Sequence, residues 1–257
     1  MSALLNHTIQ GTGQPLILIH GLFGSLANLG LLARDFSKDY QVISVDLRNH
    51  GLSFHHNEHS YQALAEDLLT LFEHLNINHA IVIGHSMGGK VAMKLAEIAA
   101  SRISKLVILD MAPVDYQEHR HESVFRALNA IESHPPTSRS DALQKMAEFI
   151  ELDGVRQFLG KSLYRHPQTE RWQWRFNVTH LSENYANIIG WQPIKTSAIP
   201  TLFIKGGDSD YLLPEHQPAI QAQFSNAKAH VISHTGHWLH AEKPELVIRA
   251  IRKFLAH

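Results

Sequence analysis

What most narrows the folds open to this sequence is a set of short apolar runs, rich in valine, isoleucine and leucine, at residues 16–19, 41–45, 80–83 and 105–109. Runs this short and this continuously apolar mark strands covered on both faces, as parallel strands are when crossover helices pack over them. Stretches with helical spacing lie between them; the clearest sets Tyr61, Leu64, Leu68, Leu71 and Leu75 along one side of a helix that Ser60 can cap. Strands alternating with helices predict an α/β fold, a mostly parallel central sheet with helices on both faces.

The pattern changes between residues 113 and 195, where helical segments follow one another, Pro135-Pro136 and His166-Pro167 act as breaks, and Trp172, Trp174 and Trp191 cluster. Strand-like runs return at 201–205 and 229–233, and the chain closes on a helix opened by Pro244, with Leu246, Val247, Ala250, Ile251 and Phe254 facing inward. The expectation is one core domain, residues 1–112 and 196–257, interrupted by a helical cap at 113–195. A chain of 257 residues is long enough to bury such a core and carry the insertion.

Composition excludes several classes of function. With 23 basic and 24 acidic residues and a formal charge of −1, no net field draws the chain to nucleic acid or to an anionic membrane, so the expected partner is a small molecule. The absence of cysteine removes disulfides, zinc–thiolate sites and thiol nucleophiles. Residues 1–7 lack the basic start and apolar stretch of a signal peptide, and no run of about 18 apolar residues occurs, which predicts a cytoplasmic protein with no membrane insertion. The 20 histidines are expected to lie mostly on the surface.

The strongest local signal is Gly84-His85-Ser86-Met87-Gly88, placed after the run at 80–83 and before a helix-like run at 90–100. Gly-x-Ser-x-Gly between strand and helix is the pattern of a nucleophile elbow, a turn so sharp that only glycine two places either side lets strand and helix approach. A serine hydroxyl needs a base, an orienting acid and donors for an oxyanion. For the base, His237 follows Gly236 just past the run at 229–233 and is preferred over its neighbours His234 and His240. Two carboxylates keep the order serine, acid, histidine: Asp210, in the loop after 201–205, and Asp110, which ends the run at 105–109. Asp208 reads as an ordinary loop carboxylate. For the oxyanion, His20-Gly21-Leu22-Phe23-Gly24 follows the first strand, so the N–H of Leu22, or second that of Phe23, can join that of Met87.

These segments resemble the α/β-hydrolase superfamily over essentially the whole length, and more narrowly the YbfF-type bacterial esterases. The resemblance is carried by the strings from His20 to Ser25 with Asn28-Leu29, from Asp46 to Ser53, from Gly84 to Lys90, from Asp110 to Tyr116 and from Gly236 to Pro244. It implies a cofactor-free α/β-hydrolase that cleaves short acyl esters, with acyl-CoA thioesters as a second class, and carries the nucleophile and base roles onto Ser86 and His237. It also implies that Asp110 ranks ahead of Asp210, because similar members keep an aspartate at the first position and tend to lack one at the second; this sequence has both.

A pocket between the sheet's strand ends and the cap makes Phe23, Trp174, Phe176, Trp191, Tyr211 and Trp238 candidates for an apolar substrate-binding wall, and Arg120, Arg126 and Lys161 candidates for meeting an anionic group. His50, His55, His56 and His59 lack the spacing of a zinc motif and read as a solvated loop, so no metal is expected. The alternatives are a carbon–carbon bond hydrolase or other cofactor-free α/β-hydrolase, which shares the triad, and a non-catalytic ligand receptor. A histidine base further predicts activity rising with pH through about 6–7.

Overall fold

The computed structural model describes residues 3–117 and 120–256; Met1 and Ser2 of the amino-terminal stretch read above lie outside the described residues. The strands are β1 (His7–Gln10), β2 (Pro15–Ile19), β3 (Gln41–Val45), β4 (Ala80–His85), β5 (Ile103–Leu109), β6 (Leu163–Arg165), β7 (Trp172–Trp174), β8 (Thr201–Gly206) and β9 (Ala227–Ile232). The helices are α1 (Gly30–Phe36), α2 (Tyr61–His74), α3 (Met87–Ile98), α4 (Glu122–Ser133), α5 (Arg139–Met146) and α6 (Asp153–Gly160). They continue with α7 (Val178–Glu183), α8 (Tyr185–Ile189), α9 (Gln217–Gln223), α10 (Leu239–Glu242) and α11 (Pro244–Leu255).

Seven strands form one sheet in the order β1-β3-β2-β4-β5-β8-β9, in which only the β1–β3 pair is antiparallel. Alternation along each strand divides the side chains between two layers. Leu16, Leu18, Ile81, Ile83, Val107, Leu109, Leu202 and Ile204 pack against Leu32 and Phe36 of α1 and Val247 and Ile251 of α11. Ile17, Ile19, Val82, Ile108 and Phe203 pack in the opposite layer with Leu64 and Leu68 of α2 and Val91 and Leu95 of α3, and that layer runs on into the segment between β5 and β8. Each such fully buried side chain contributes about 1.5–3 kcal/mol relative to exposure. The predicted α/β architecture, mostly parallel and covered on both faces, is the one observed.

Local signals act as expected at several points. Ser60 accepts a hydrogen bond from Ala63 N–H at the start of α2. Pro244 opens α11, which buries Val247, Ile251 and Phe254 and half-buries Leu246 and Ala250. Two features go beyond the expectation. The polar edge strand β1 carries no apolar run, and residues 113–195 hold a two-stranded antiparallel ribbon, β6–β7, besides helices α4 to α8.

The chain leaves β4 at Ser86, β5 at Asp110, β8 at Gly207 and β9 at Ser233, so four carboxyl ends of the sheet converge on one region. In open α/β sheets that is where loops can build a site.

Candidate active site

Ser86 occupies the turn between β4 and α3 with φ 54° and ψ −124°, a conformation that L-residues rarely adopt. The flanking glycines permit it. A Cβ on Gly84 would lie 2.2 Å from the Gly88 carbonyl oxygen, and one on Gly88 would lie 2.4 Å from that of His20. The serine N–H donates to Leu109 O on the neighbouring strand, and its carbonyl accepts from Gly89 N–H at the start of α3. Helix α3 therefore begins at Met87, three residues earlier than the expected run at 90.

Three side chains from three loops form a line. Ser86 Oγ donates to His237 Nε2 at 2.8 Å, and His237 Nδ1–H donates to Asp110 Oδ2 at 2.7 Å. Asp110 is fully buried and also accepts from Gly206 N–H at 2.9 Å and from the Ser209 hydroxyl. Its own backbone sits at φ 51°, a region that aspartate tolerates better than most residues. Asp210 takes no part: both His237 nitrogens are engaged elsewhere, and its exposed carboxylate pairs with Arg120 at 2.7 Å. The expectation of Asp210 as an alternative acid is corrected on this geometry. His234 is exposed on the preceding turn and His240 is buried beside His85, so neither rival to His237 reaches the serine.

His237 is held on both sides. The Tyr211 ring stacks on the His237 imidazole, with centroids 3.8 Å apart and planes 19° apart. His85 Nε2–H donates to the His237 carbonyl at 2.9 Å. Burial, with His240 and His237 nearby, pushes the His85 pKa well below the ordinary imidazole range, so it serves this contact as a neutral donor.

The loop after β2 approaches Ser86 closely; a Cβ on Gly21 would lie 3.1 Å from the serine Cβ. Two buried imidazoles shape this loop. Leu47 N–H donates to His20 Nε2 at 3.1 Å while His20 Nδ1–H donates to Gly21 O at 2.7 Å. Phe23 N–H donates to His50 Nε2 at 3.1 Å, holding Phe23 at φ 60°. Phe23 is thereby corrected as an oxyanion donor, because its N–H is already used. Among the described residues the N–H groups of Leu22 and Met87 donate to no protein acceptor, and Met87 stands at the positive end of α3.

His50 and His59 are buried rather than part of a solvated loop, whereas His55 and His56 are exposed. Burial lowers the pKa of His20 and, more strongly, His50, and takes His59 down to about 3. The described residues contain no group of three or more ligating side chains arranged for a metal ion.

A cavity of about 200 Å³ opens beside Ser86, lined on the core side by Leu22, Phe23 and Met111, and on the other by Val124, Phe158 and Leu159. Tyr211 and Trp238 line it as expected, but Trp174, Phe176 and Trp191 do not. Trp174 and Phe176 stack on each other at 13° within the core, with Phe176 lying behind Phe23. The Trp191 indole donates to Gln223 Oε1 at 2.9 Å. Arg120 lines the cavity; Arg126 instead lies over the Phe149 ring and Lys161 is exposed. Sequence reasoning missed Ser209, Gly206 and the buried histidines, although Ser209 adjoins the carboxylate it had weighed.

A hydroxyl aligned on an imidazole, itself aligned on a buried carboxylate, with two N–H donors beside the hydroxyl, can perform nucleophilic acyl transfer. The comparisons with known proteins agree with that chemistry. The family model of the alpha/beta hydrolase fold matches residues 14–244. The chain is 46% identical over 246 residues to the esterase YbfF of Escherichia coli (strain K12), covering 96% of this chain and 94% of that one. It is 34% identical to the sn-1-specific diacylglycerol lipase ABHD11 of Mus musculus, covering 94% of this chain and 80% of the relative. A solved marine microorganism esterase superposes with a TM-score of 0.95 at 33% identity, covering 98% of this chain and all 100% of that structure.

Proposed function

The chain belongs to the α/β-hydrolase family, and from that premise we propose that it is a serine carboxylesterase acting through an acyl-enzyme on Ser86. The observation that carries this reading is the hydrogen-bonded line from Ser86 Oγ through His237 to the buried Asp110.

In the proposed reaction Ser86 Oγ attacks the substrate's acyl carbon while His237 Nε2 takes the hydroxyl proton. Asp110 holds the proton on Nδ1 and balances the imidazolium that forms. The carbonyl oxygen becomes an oxyanion, for which the Leu22 and Met87 N–H groups are the donors. As the tetrahedral intermediate collapses, the imidazolium passes its proton to the departing alcohol or thiol. Water, deprotonated by the same imidazole, then releases the acid and restores the serine.

The apolar lining and modest volume of the cavity favour a short acyl group. An acyl-CoA thioester would follow the same steps with a thiolate leaving group. The segment 113–195 is the cap that closes the cavity in this reading. The same proposal places the enzyme in the cytoplasm, acting on a small molecule rather than nucleic acid, in keeping with a formal charge of −1. Among the described residues no helix is long and apolar enough to cross a membrane.

The test is intact mass after treatment with a fluorophosphonate probe, run beside hydrolysis of p-nitrophenyl butyrate. One adduct and steady turnover in the wild type, both lost in folded Ser86→Ala, are expected. A wild type that neither labels nor turns over overturns the reading.

A further inference from the structure

Tyr116 closes the string that begins at Asp110, yet it has no part in the acyl-transfer steps above. Its hydroxyl spans two segments that carry the acid and the base. It accepts from Ala112 N–H at 3.0 Å, two residues beyond Asp110, and donates to the carbonyl of Tyr211. Tyr211 in turn covers one face of the His237 imidazole, and its own N–H donates to Ser209 Oγ at 3.2 Å. Ser209 donates to Asp110. The loop after β8 thus holds the carboxylate through Ser209 and the imidazole through Tyr211, and the Tyr116 hydroxyl ties it to the end of β5.

We propose that Tyr116 is a positioning residue for the acyl-transfer reaction, acting through Tyr211 to keep the His237 imidazole in line with Ser86 Oγ. This rests on the serine-hydrolase reading.

The geometry supplies three reasons. First, His237 stands on a loop just before the short helix α10, so its backbone is not fixed by a long regular element. Its in-plane orientation is set by two hydrogen bonds, but tilting about the Ser86–Asp110 line is opposed only by what lies against the ring faces. Second, the closest ring against it among the described residues is that of Tyr211, at 3.8 Å, whereas those of His85 and Trp238 lie at 4.8 and 5.9 Å.

Third, Tyr116 is itself anchored. Its backbone N–H donates to Ile189 O at 3.0 Å, its ring lies 4.7 Å from Lys90 Nζ, and burial pushes its phenol pKa upward, keeping the hydroxyl a donor. A phenylalanine there would keep the ring and lose both bonds. Misplacement of a reacting group by about 1 Å can lower turnover about a hundredfold, so a clamp that makes no contact with the reacting atoms can still govern rate.

The experiment compares wild type, Tyr116→Phe, Tyr211→Phe and Tyr211→Leu for kcat and KM on p-nitrophenyl butyrate and for the rate of fluorophosphonate labelling of Ser86, each checked for folding by circular dichroism. Tyr116→Phe is expected to lower kcat and the labelling rate by about 10- to 100-fold with KM within about twofold. Tyr211→Leu should do the same, and Tyr211→Phe, which keeps the stack, should restore kcat to within about threefold of wild type. Wild-type kcat in Tyr116→Phe overturns the proposal, as does a rise in KM alone, which would reduce the role of Tyr116 to its place in the cavity wall beside Ser86. If Tyr116→Phe fails to fold, the Tyr211 pair decides: equal activity of the phenylalanine and leucine variants overturns it. A wild type that does not label overturns the serine-hydrolase reading and the proposal with it; a labelled, active wild type with unaffected variants overturns the proposal alone.

Discussion

Asp110 Oδ2 lies 2.7 Å from His237 Nδ1 across 127 residues of sequence, and the carboxylate reaches it from the end of β5, not from the loop after β8. The last residue of β8 and the loop after it contribute instead the Gly206 N–H and the Ser209 hydroxyl, which donate to the same buried carboxylate.

Asp110→Asn is therefore expected to lower kcat by as much as about ten-thousandfold, because an amide can donate to Nδ1 and favour the wrong imidazole tautomer. Asp210→Asn removes an exposed ion pair with Arg120 and should leave kcat within a few-fold. Steady-state kinetics on the two variants at equal foldedness decide between them; equal small losses would refute the triad drawn above.

The elbow makes a prediction about stability. Gly88→Ala would place a methyl group 2.4 Å from His20 O and 2.5 Å from Ile19 O, both backbone atoms of β2 or the residue after it. Backbone cannot rotate away as a side chain can, so α3 must shift from the sheet, at about 1–3 kcal/mol or more. Urea unfolding should show this loss. An unchanged midpoint would mean that strand and helix are not so close.

The elbow also illustrates what was legible beforehand. The pairing of Ser86 with His237 was readable because a serine nucleophile and its base require particular residue types at particular places, and strands β2 to β5 and β8 because burial on both faces leaves unbroken apolar runs. Strand β1 was not, since an exposed edge needs no such run: His7–Gln10 is half-buried at one residue and exposed at the rest. The pocket wall was not either. An aromatic residue between β5 and β8 meets the cavity or the core according to how its helix or ribbon packs, and Trp174 and Phe176 turned to the core. Ser209 and Tyr116 are ordinary residue types whose roles arise only from contacts made 99 and 95 residues away in sequence.

The buried histidines predict sensitivity to acid. His59 and His240 are held near a pKa of about 3, and His121 near about 4, mainly because burial disfavours the charged ring. The unfolded chain, with its histidines near about 6.5, binds more protons than the folded one below that pH, so stability falls as pH drops from about 6.5 toward 3–4. One histidine of the His59 or His240 kind should remove about 2 kcal/mol by pH 5. Urea titrations at pH 7, 6 and 5 measure the slope; His240→Leu, which replaces a ring whose Nδ1 has no partner among the described residues, should flatten it.

Lys90 predicts the opposite end of the pH range. Its side chain is fully buried in α3 and donates to Ile189 O at 2.8 Å and Gly190 O at 2.9 Å, capping the last turn of α8. Burial takes its pKa from 10.5 down to about 7, with the Asp115 charge working against the fall. Between about 7 and 10.5 the unfolded lysine is protonated and the folded one largely is not, so this residue makes stability rise with pH in that window, by at most about 1.4 kcal/mol per unit. Below pH 7 both states are protonated and the dependence vanishes. Lys90→Met should abolish the rise between pH 7 and 9 seen by urea unfolding, whatever its effect on stability at pH 7. A slope that persists in the variant would assign it to another group.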